Sequence, residues 1–351
     1  MELSSDTSSE GAAQEPVVSD SESNWRGQAL EGRSLEGENL QNADFRGAEL
    51  SGVVLRDANL RGARFQEATL TECVLSGANL READLTEGRV EGSMLDGVDL
   101  RDAQLDRATL QECDLSRIAA RGTRLVGATL HGVLLEEADL TRCDFTNADL
   151  GESIFARATL EGASLQNASL GAAVLTGTSL VDADCSEAVF SGTVLDEVLA
   201  SGARFQAAEL VSASARRADF SQCDFSGATL TRGNFTRATF HQVRLKEVVG
   251  EQIVCEFADF RGATLEASEL PFGNFVGADF TGARASNCNF YGADFYWAQI
   301  DFFETSSCDT DDVRRPEETG AAYGPGKTPP SVDPVPLHRS PATEQDGPET
   351  P

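Results

Sequence analysis

The chain has 351 residues, of which 25% are charged and 40% hydrophobic, a balance inside the range of folded proteins. Acidic residues outnumber basic ones 58 to 28, for a formal net charge of −30. That excess argues against a nucleic-acid partner, because phosphate binding rests on clustered Lys and Arg, and any charged partner is expected to be cationic. There is no apolar run of the ~18 residues a membrane span needs, and the opening MELSSDTSSE has neither a basic start nor an apolar core. Neither membrane insertion nor secretion is expected, which leaves a cytoplasmic location as the default.

Residues 1–27 hold seven Ser and six acidic residues. Such a segment buries too little apolar surface to offset its ordering entropy and is expected to be disordered. From Leu30 to Ile300 the composition changes to a strict cadence. Every fifth residue is apolar or small: 31 Leu, 15 Phe, one Val, one Ile, four Ala, two Cys and one Gly over 55 positions. Two residues before each of these stands a second small position, with 30 Ala, six Val and five Cys. The unit reads A-(D/N)-(L/F)-x-x, as in Ala43-Asp44-Phe45-Arg46-Gly47, and runs from 28 to 302 without insertion or deletion.

A period of five suits neither common element. Five helical steps of 100° turn the next Leu by about 140°, scattering the row around a cylinder. An odd period on a flat strand sends successive Leu to opposite faces. The chain must therefore turn a corner in every unit, with one large and one small side chain pointing inward from each short side, which is the logic of a solenoid.

On these residues the chain resembles the pentapeptide repeat family. The resemblance implies an all-β fold, a right-handed quadrilateral parallel β-helix with four pentapeptides per coil. The 55 units then make about 14 coils and, at about 4.8 Å per coil, a rod about 65 Å long. The small inward position has a mechanical reason: only Ala-sized groups leave room for large side chains arriving from the other sides. Phe220, Phe240, Phe260 and Phe280 stand 20 residues apart and are expected to stack as one ladder.

The cadence weakens in three places. Gln28, Arg33 and Glu38 occupy positions where Ala is expected, so the first coil is read as frayed or as a cap. Around Val248–Cys255, Gly250 replaces the large residue among β-branched neighbours, and a bulge or altered coil is expected within 246–257. Ala120, Ala200, Ala215 and Ala285 are expected to leave gaps. Seven of the eight Cys fall on inward positions, none of the seven 20 residues from another, and read as inert small core residues, with Cys308 in the tail. His131 and His241 are outward with no nucleophile beside them, and no phosphate-binding loop or metal-ligand spacing occurs. No enzymatic activity, cofactor or metal is expected.

At the end of the cadence, Tyr291, Tyr296, Trp297, Phe302 and Phe303 form an aromatic cluster. An open solenoid end must be covered, so these residues are read as an intramolecular cap; the resemblance implies the alternative, pairing of two copies through the C-terminal coils. Residues 303–351 are read as a Pro-rich disordered tail, with nine of the 11 Pro in the last 36 residues.

The net charge divides into −5 in residues 1–27, −19 in 28–302 and −6 in 303–351. Sorting the units into four sides concentrates it further. The side carrying Leu30, Leu50 and Leu70 has ten acidic residues against Arg89 and Arg232, whereas Arg61, Arg81, Arg101 and Arg121 form a column elsewhere, next to Glu82 and Asp102. On the acidic side Glu72, Glu91, Glu112, Asp149, Glu152 and Glu209 are the candidate partner-binding residues. The resemblance implies that such a rod mimics DNA and binds DNA gyrase or topoisomerase IV, protecting it from quinolones or a self-made poison. The alternative is a structural or adaptor solenoid for protein–protein interaction without topoisomerase binding.

Overall fold

A computed structural model describes residues 24–315. Among them there is no helix, and the chain coils as a parallel β-solenoid of about 14 turns. Every bridge joins residues 20 apart, such as Asp44↔Arg64 and Asn59↔Asn79, so each coil consists of four pentapeptides and has four sides. We number the sides by their central residues: first through Leu30 and Leu50, second through Leu35 and Leu55, third through Leu40 and Leu60, fourth through Phe45 and Phe65.

One unit, Ala83–Glu87, shows why five residues suffice for a side and a corner. The Leu85 and Glu87 N–H groups donate to Gln104 and Asp106 in the next coil, at 2.7 and 3.0 Å, and Asp84 donates to Ala63 in the previous one at 3.0 Å. Ala83 closes the preceding corner by donating to Leu80 at 3.0 Å. The remaining N–H, that of Thr86, donates to the Asp84 carboxylate at 3.0 Å. The Asp or Asn of the motif thus accepts from the one backbone donor that the coil leaves over, an Asx-turn that satisfies a group otherwise left to water. The corner residue two after the large one is left-handed throughout, at φ 61° for Gly47, 60° for Asn147 and 59° for Glu87. Gly and Asn reach that region at little cost, and elsewhere the two flanking coils hold Glu and Arg in it.

Most sides touch the next coil through a single bridged residue, but two patches widen into three-residue strands. On the first side β1 (Ala29–Glu31), β2 (Glu49–Ser51), β3 (Thr69–Thr71), β4 (Arg89–Glu91) and β5 (Thr109–Gln111) stack in register, Leu30 on Leu50 on Leu70. On the fourth side β6 (Arg244–Lys246), β7 (Thr264–Glu266), β8 (Arg284–Ser286) and β9 (Glu304–Ser306) do the same.

The interior is one continuous column. Phe220, Phe240, Phe260 and Phe280 stack at centroid distances of 5.4, 4.8 and 4.7 Å, the ladder expected from their spacing. An apolar void of about 10 Å³ lies beside Ala120, so the missing large side chain there is only partly compensated. In the coils of Ala200 and Ala215 the interior holds packed rings: Phe220 meets Phe205 and Phe235 at 5.7 and 6.0 Å.

Four expectations are corrected. Among the described residues the ladder runs from Asn24 to Arg314, beyond the 28–302 boundaries at both ends. Trp25, assigned to a disordered segment, is buried and stacks on Phe45 at 4.7 Å, covering the first turn of the core, while Gln28, Arg33 and Glu38 face solvent. No bulge occurs within 246–257: Val249 bridges Thr229 and Glu269 in regular register, and the space a side chain would need at Gly250 is taken by Leu270, 2.7 Å from where a Cβ would stand. Cys308 lies inside the last coil, packed against the core, and stands one coil from Cys288 at the same inward position. The rest of the segments expected to be disordered, 1–23 and 316–351, lie outside the described residues.

Candidate functional site

The structure gathers three of the six candidate acids into a single column. Glu72, Glu112 and Glu152 occupy the same corner of the first side, two coils or about 10 Å apart, at φ 52°, 53° and 56°. Gly92 and Gly132 alternate with them at φ 57° and 68°, which leaves Glu72 and Glu112 without a side chain directly above or below, while Glu152 lies between Gly132 and Ala172. Glu91 stands at the end of β4, beside this column, and is paired with Arg89 at 3.3 Å. Asp149 sits in the middle of the side, where it accepts the Gly151 N–H at 3.1 Å. His131 lies between Asp149 and Glu152, 3.8 Å from each. Glu209 is in the same central row, three coils beyond Asp149, and is exposed. Among the described residues Glu72, Glu112 and Glu209 have no ion-pair partner.

The other charges are largely spent inside the rod. On the fourth side, acid and base alternate down the outward row, Asp44–Arg64–Asp84 and Asp184–Arg204–Asp224–Arg244. Arg46 and Arg64 converge on Asp44 at 2.6 and 3.5 Å; the hydrogen bonds from Arg46, opposed by burial, lower its carboxyl to about 2. Burial would raise Asp184, but hydrogen bonds from Arg204, Ser186 and Gln166 outweigh it and hold the group well below the usual carboxylate range. On the third side Arg61 pairs with Glu82 at 2.8 Å and Arg81 with Asp102 at 3.9 Å, the neutralisation expected for the arginine column, while Arg101 takes Asp99 at 2.5 Å.

The second side differs from the other three. Its outward row, the position before each large residue, reads Val54, Val74, Met94, Asp114, Leu134, Ile154, Val174 and Val194, each bridged to the next. Met94 and Leu134 are 47% and 38% exposed, and the remaining apolar members are half-buried. Sequence reading sorted only charge by side and missed this row; sorting hydrophobicity by the same 20-residue period finds it.

At the C-terminal end, the aromatic residues do not lie together over the axis. Tyr296 and Trp297 stack on each other at 4.7 Å on an outer corner, with the Arg314 guanidinium 4.0 Å above the Tyr296 ring. Tyr291 meets Phe272 edge-on at 5.5 Å, and the hydrogen bond with Asp312, reinforced by its charge, pushes the Tyr291 hydroxyl upward. Phe303 packs inward on Phe280 at 5.0 Å, and Phe303, Cys308 and Val313 meet the end of the core. Phe302 is 85% exposed.

The buried thiols carry no reactive signature. Desolvation pushes Cys143 and Cys223 up to about 12, so the thiolate is inaccessible near neutrality. Among the described residues no helix is long and apolar enough to cross a membrane.

A closed ladder of 20-residue coils with a small-and-large interior defines a four-sided β-solenoid whose chemistry lies on its outer rows. The chain belongs to the pentapeptide repeat family: the model of pentapeptide repeats matches it in segments running from 30–62 to 258–296. Similar solved structures include HetL, a pentapeptide repeat protein involved in heterocyst differentiation regulation from the cyanobacterium Nostoc sp. strain PCC 7120. It is 26% identical over 72% of this chain and 90% of its own, at a TM-score of 0.25. QnrB1, a plasmid-mediated fluoroquinolone resistance protein, is 15% identical over 79% of this chain and 89% of its own, at a TM-score of 0.19. A pentapeptide repeat protein from the Arabidopsis thaliana thylakoid lumen is 29% identical over 31% of this chain and 69% of its own, at a TM-score of 0.14. No curated protein sequence matches the chain.

Proposed function

We propose that the protein is a non-enzymatic binding rod that engages a cationic protein surface along its acidic first side. The observation that carries this reading is the uneven disposition of charge: Glu72, Glu112 and Glu209 have no ion-pair partner among the described residues, whereas the arginines of the third and fourth sides are largely matched within the rod. Unpaired carboxylates held at fixed spacing keep their field available to a partner and steer its approach.

Its most specific form is DNA mimicry, with the rod occupying the DNA-binding groove of DNA gyrase or topoisomerase IV. The rod length supports it, but a duplex of about 65 Å carries about 38 phosphate charges on its whole circumference. Here the acidic excess is greatest along one side, which has ten acidic residues against two Arg, and an apolar row runs beside it. Geometry therefore favours an adaptor rod for a protein partner over a full mimic.

A supercoiling assay with and without a quinolone separates the two forms. Protection or inhibition by micromolar protein, lost when Glu72, Glu91, Glu112 and Asp149 are changed to Lys, supports the topoisomerase form. No effect on either enzyme removes it and leaves the adaptor. Pairing of two copies through the end that exposes Phe302 is a separate question; light scattering on wild type and Trp297→Ala decides it, an unchanged monomer mass in both excluding the pair.

A further inference from the structure

We infer that the apolar row on the second side, from Val54 to Val194, is the seat of an amphipathic α-helix of a partner protein, apolar on one face and basic on one flank. The inference rests on the binding-rod reading above and names the class of partner.

The row is not explained by the fold. On the other sides its position holds mostly Asp, Asn, Ser, Thr or Arg, and Asp or Asn there accepts the corner N–H, as Asp84 does for Thr86 and Asp139 for Thr141. Valine, methionine, leucine and isoleucine cannot. Seven of eight consecutive coils therefore forgo that acceptor and expose hydrocarbon, a local conflict of the kind that marks function. Leu199 and Val249, the other exposed aliphatics at this position, stand singly on different sides and need no such explanation.

The geometry of the row selects the occupant. Backbone N–H and C=O groups on each side run along the rod and are taken by the coils above and below, as Leu135 to Ile154 at 2.7 Å and Ile154 to Val133 at 3.0 Å. No strand can add to this surface, so whatever covers it docks through side chains. Seven coil steps span about 34 Å, the length of a helix of about 22 residues.

The two margins of the row differ in charge. One is the corner of the first side with Glu72, Glu91, Glu112 and Glu152. The other is largely paired within the rod, Arg117 with Asp96 at 3.5 Å and Arg157 with Glu137 at 3.1 Å. A helix with Lys or Arg along a single flank complements this arrangement. A second copy of this chain does so less well, because it offers the same carboxylates and its basic residues beside the row, Arg117 and Arg157, are already paired with Asp96 and Glu137.

The motif itself supplies the test. Asn is a native residue at this position elsewhere in the rod, so Met94→Asn, Leu134→Asn and Ile154→Asn together are expected to fold with an unchanged or raised Tm. Three labelled 22-residue helical peptides serve as probes in fluorescence anisotropy with the full chain: Leu/Lys with one apolar face, its Leu/Glu counterpart, and Lys/Gln without an apolar face. The expected result is tight binding of Leu/Lys alone, weakened at least tenfold by the triple Asn variant, with Glu72→Gln and Glu112→Gln reducing the preference over Leu/Glu. Equal binding of Leu/Lys to wild type and the triple variant would overturn the inference, as would equal binding of Leu/Lys and Leu/Glu. So would a dimer in sedimentation equilibrium that the triple variant dissociates, since the second copy would then be the occupant. Dependence on the glutamates without dependence on the Asn triple overturns this inference and spares the acidic-edge reading. Dependence on the triple without the glutamates sinks both the basic flank and that reading, leaving an apolar seat only.

Discussion

The second and fourth sides share one backbone, one register and one interior, yet their outward rows are opposites. The fourth alternates acid and base so that Asp184 receives Arg204 from the next coil at 2.7 Å. The second sets Ile154 on Val174 on Val194, half-buried and with no further layer over them among the described residues. Folding is secured by the inward positions and the coil-to-coil ladder, so the outward rows are free to diverge. A side that ties its own charges together is finished as it stands, whereas one that leaves hydrocarbon beside unpaired carboxylates is incomplete alone.

Substitutions can break that comparison at graded depth. The largest effect belongs to the interior common to both sides: Phe240→Ala, removing a fully buried ring from the stacked ladder, is expected to cost about 3–5 kcal/mol in calorimetry. Ala148→Leu and Ala168→Leu push a large side chain toward the axis and should cost about 1–3 kcal/mol each by overpacking. On the fourth side, Asp184→Ala strands Arg204, Ser186 and Gln166 and is expected to lower stability by about 1–3 kcal/mol in urea titration. On the second side the single change Leu134→Asn should fall within about 0.5 kcal/mol of wild type. A large loss there would show that the row serves the fold after all.

Acid titration sharpens the same contrast. The folded pKa of Asp44 is depressed to about 2, and Asp184 is held lower still. Stability from such groups is complete above the ordinary carboxylate value near pH 4 and is lost as pH falls through their folded values. Thermal unfolding should therefore show a decline between about pH 4 and 2 that is smaller in Asp44→Asn and Asp184→Asn; an unchanged decline would place the acid-sensitive groups elsewhere.

Most of the interior is written in the period of five, because a position that must be filled by the same size of side chain in every coil leaves a regular trace. Phe220 to Phe280 could be placed before any coordinate. What escaped was what depends on neighbours 20 residues away where the motif itself is broken or lies past its ends. Trp25 precedes the cadence but stacks on Phe45; Gly250 breaks it but is filled by Leu270; Cys308 follows it but completes the column of Cys288. The six acids illustrate the same limit. Their side was legible, but the sequence did not distinguish Glu72 and Glu112, free of partners, from Glu91 and Asp149, which already have them.

The unbroken 20-residue register has a metrological consequence. Every outward residue has an address given by three integers, its side, its coil and its place in the unit, and successive coils are graduations about 4.8 Å apart. A bound partner is thereby measured against a ruler. A series of single reporter residues moved down one side at 20-residue steps would read the length, the edges and the tilt of its footprint directly as the graduations that fall silent.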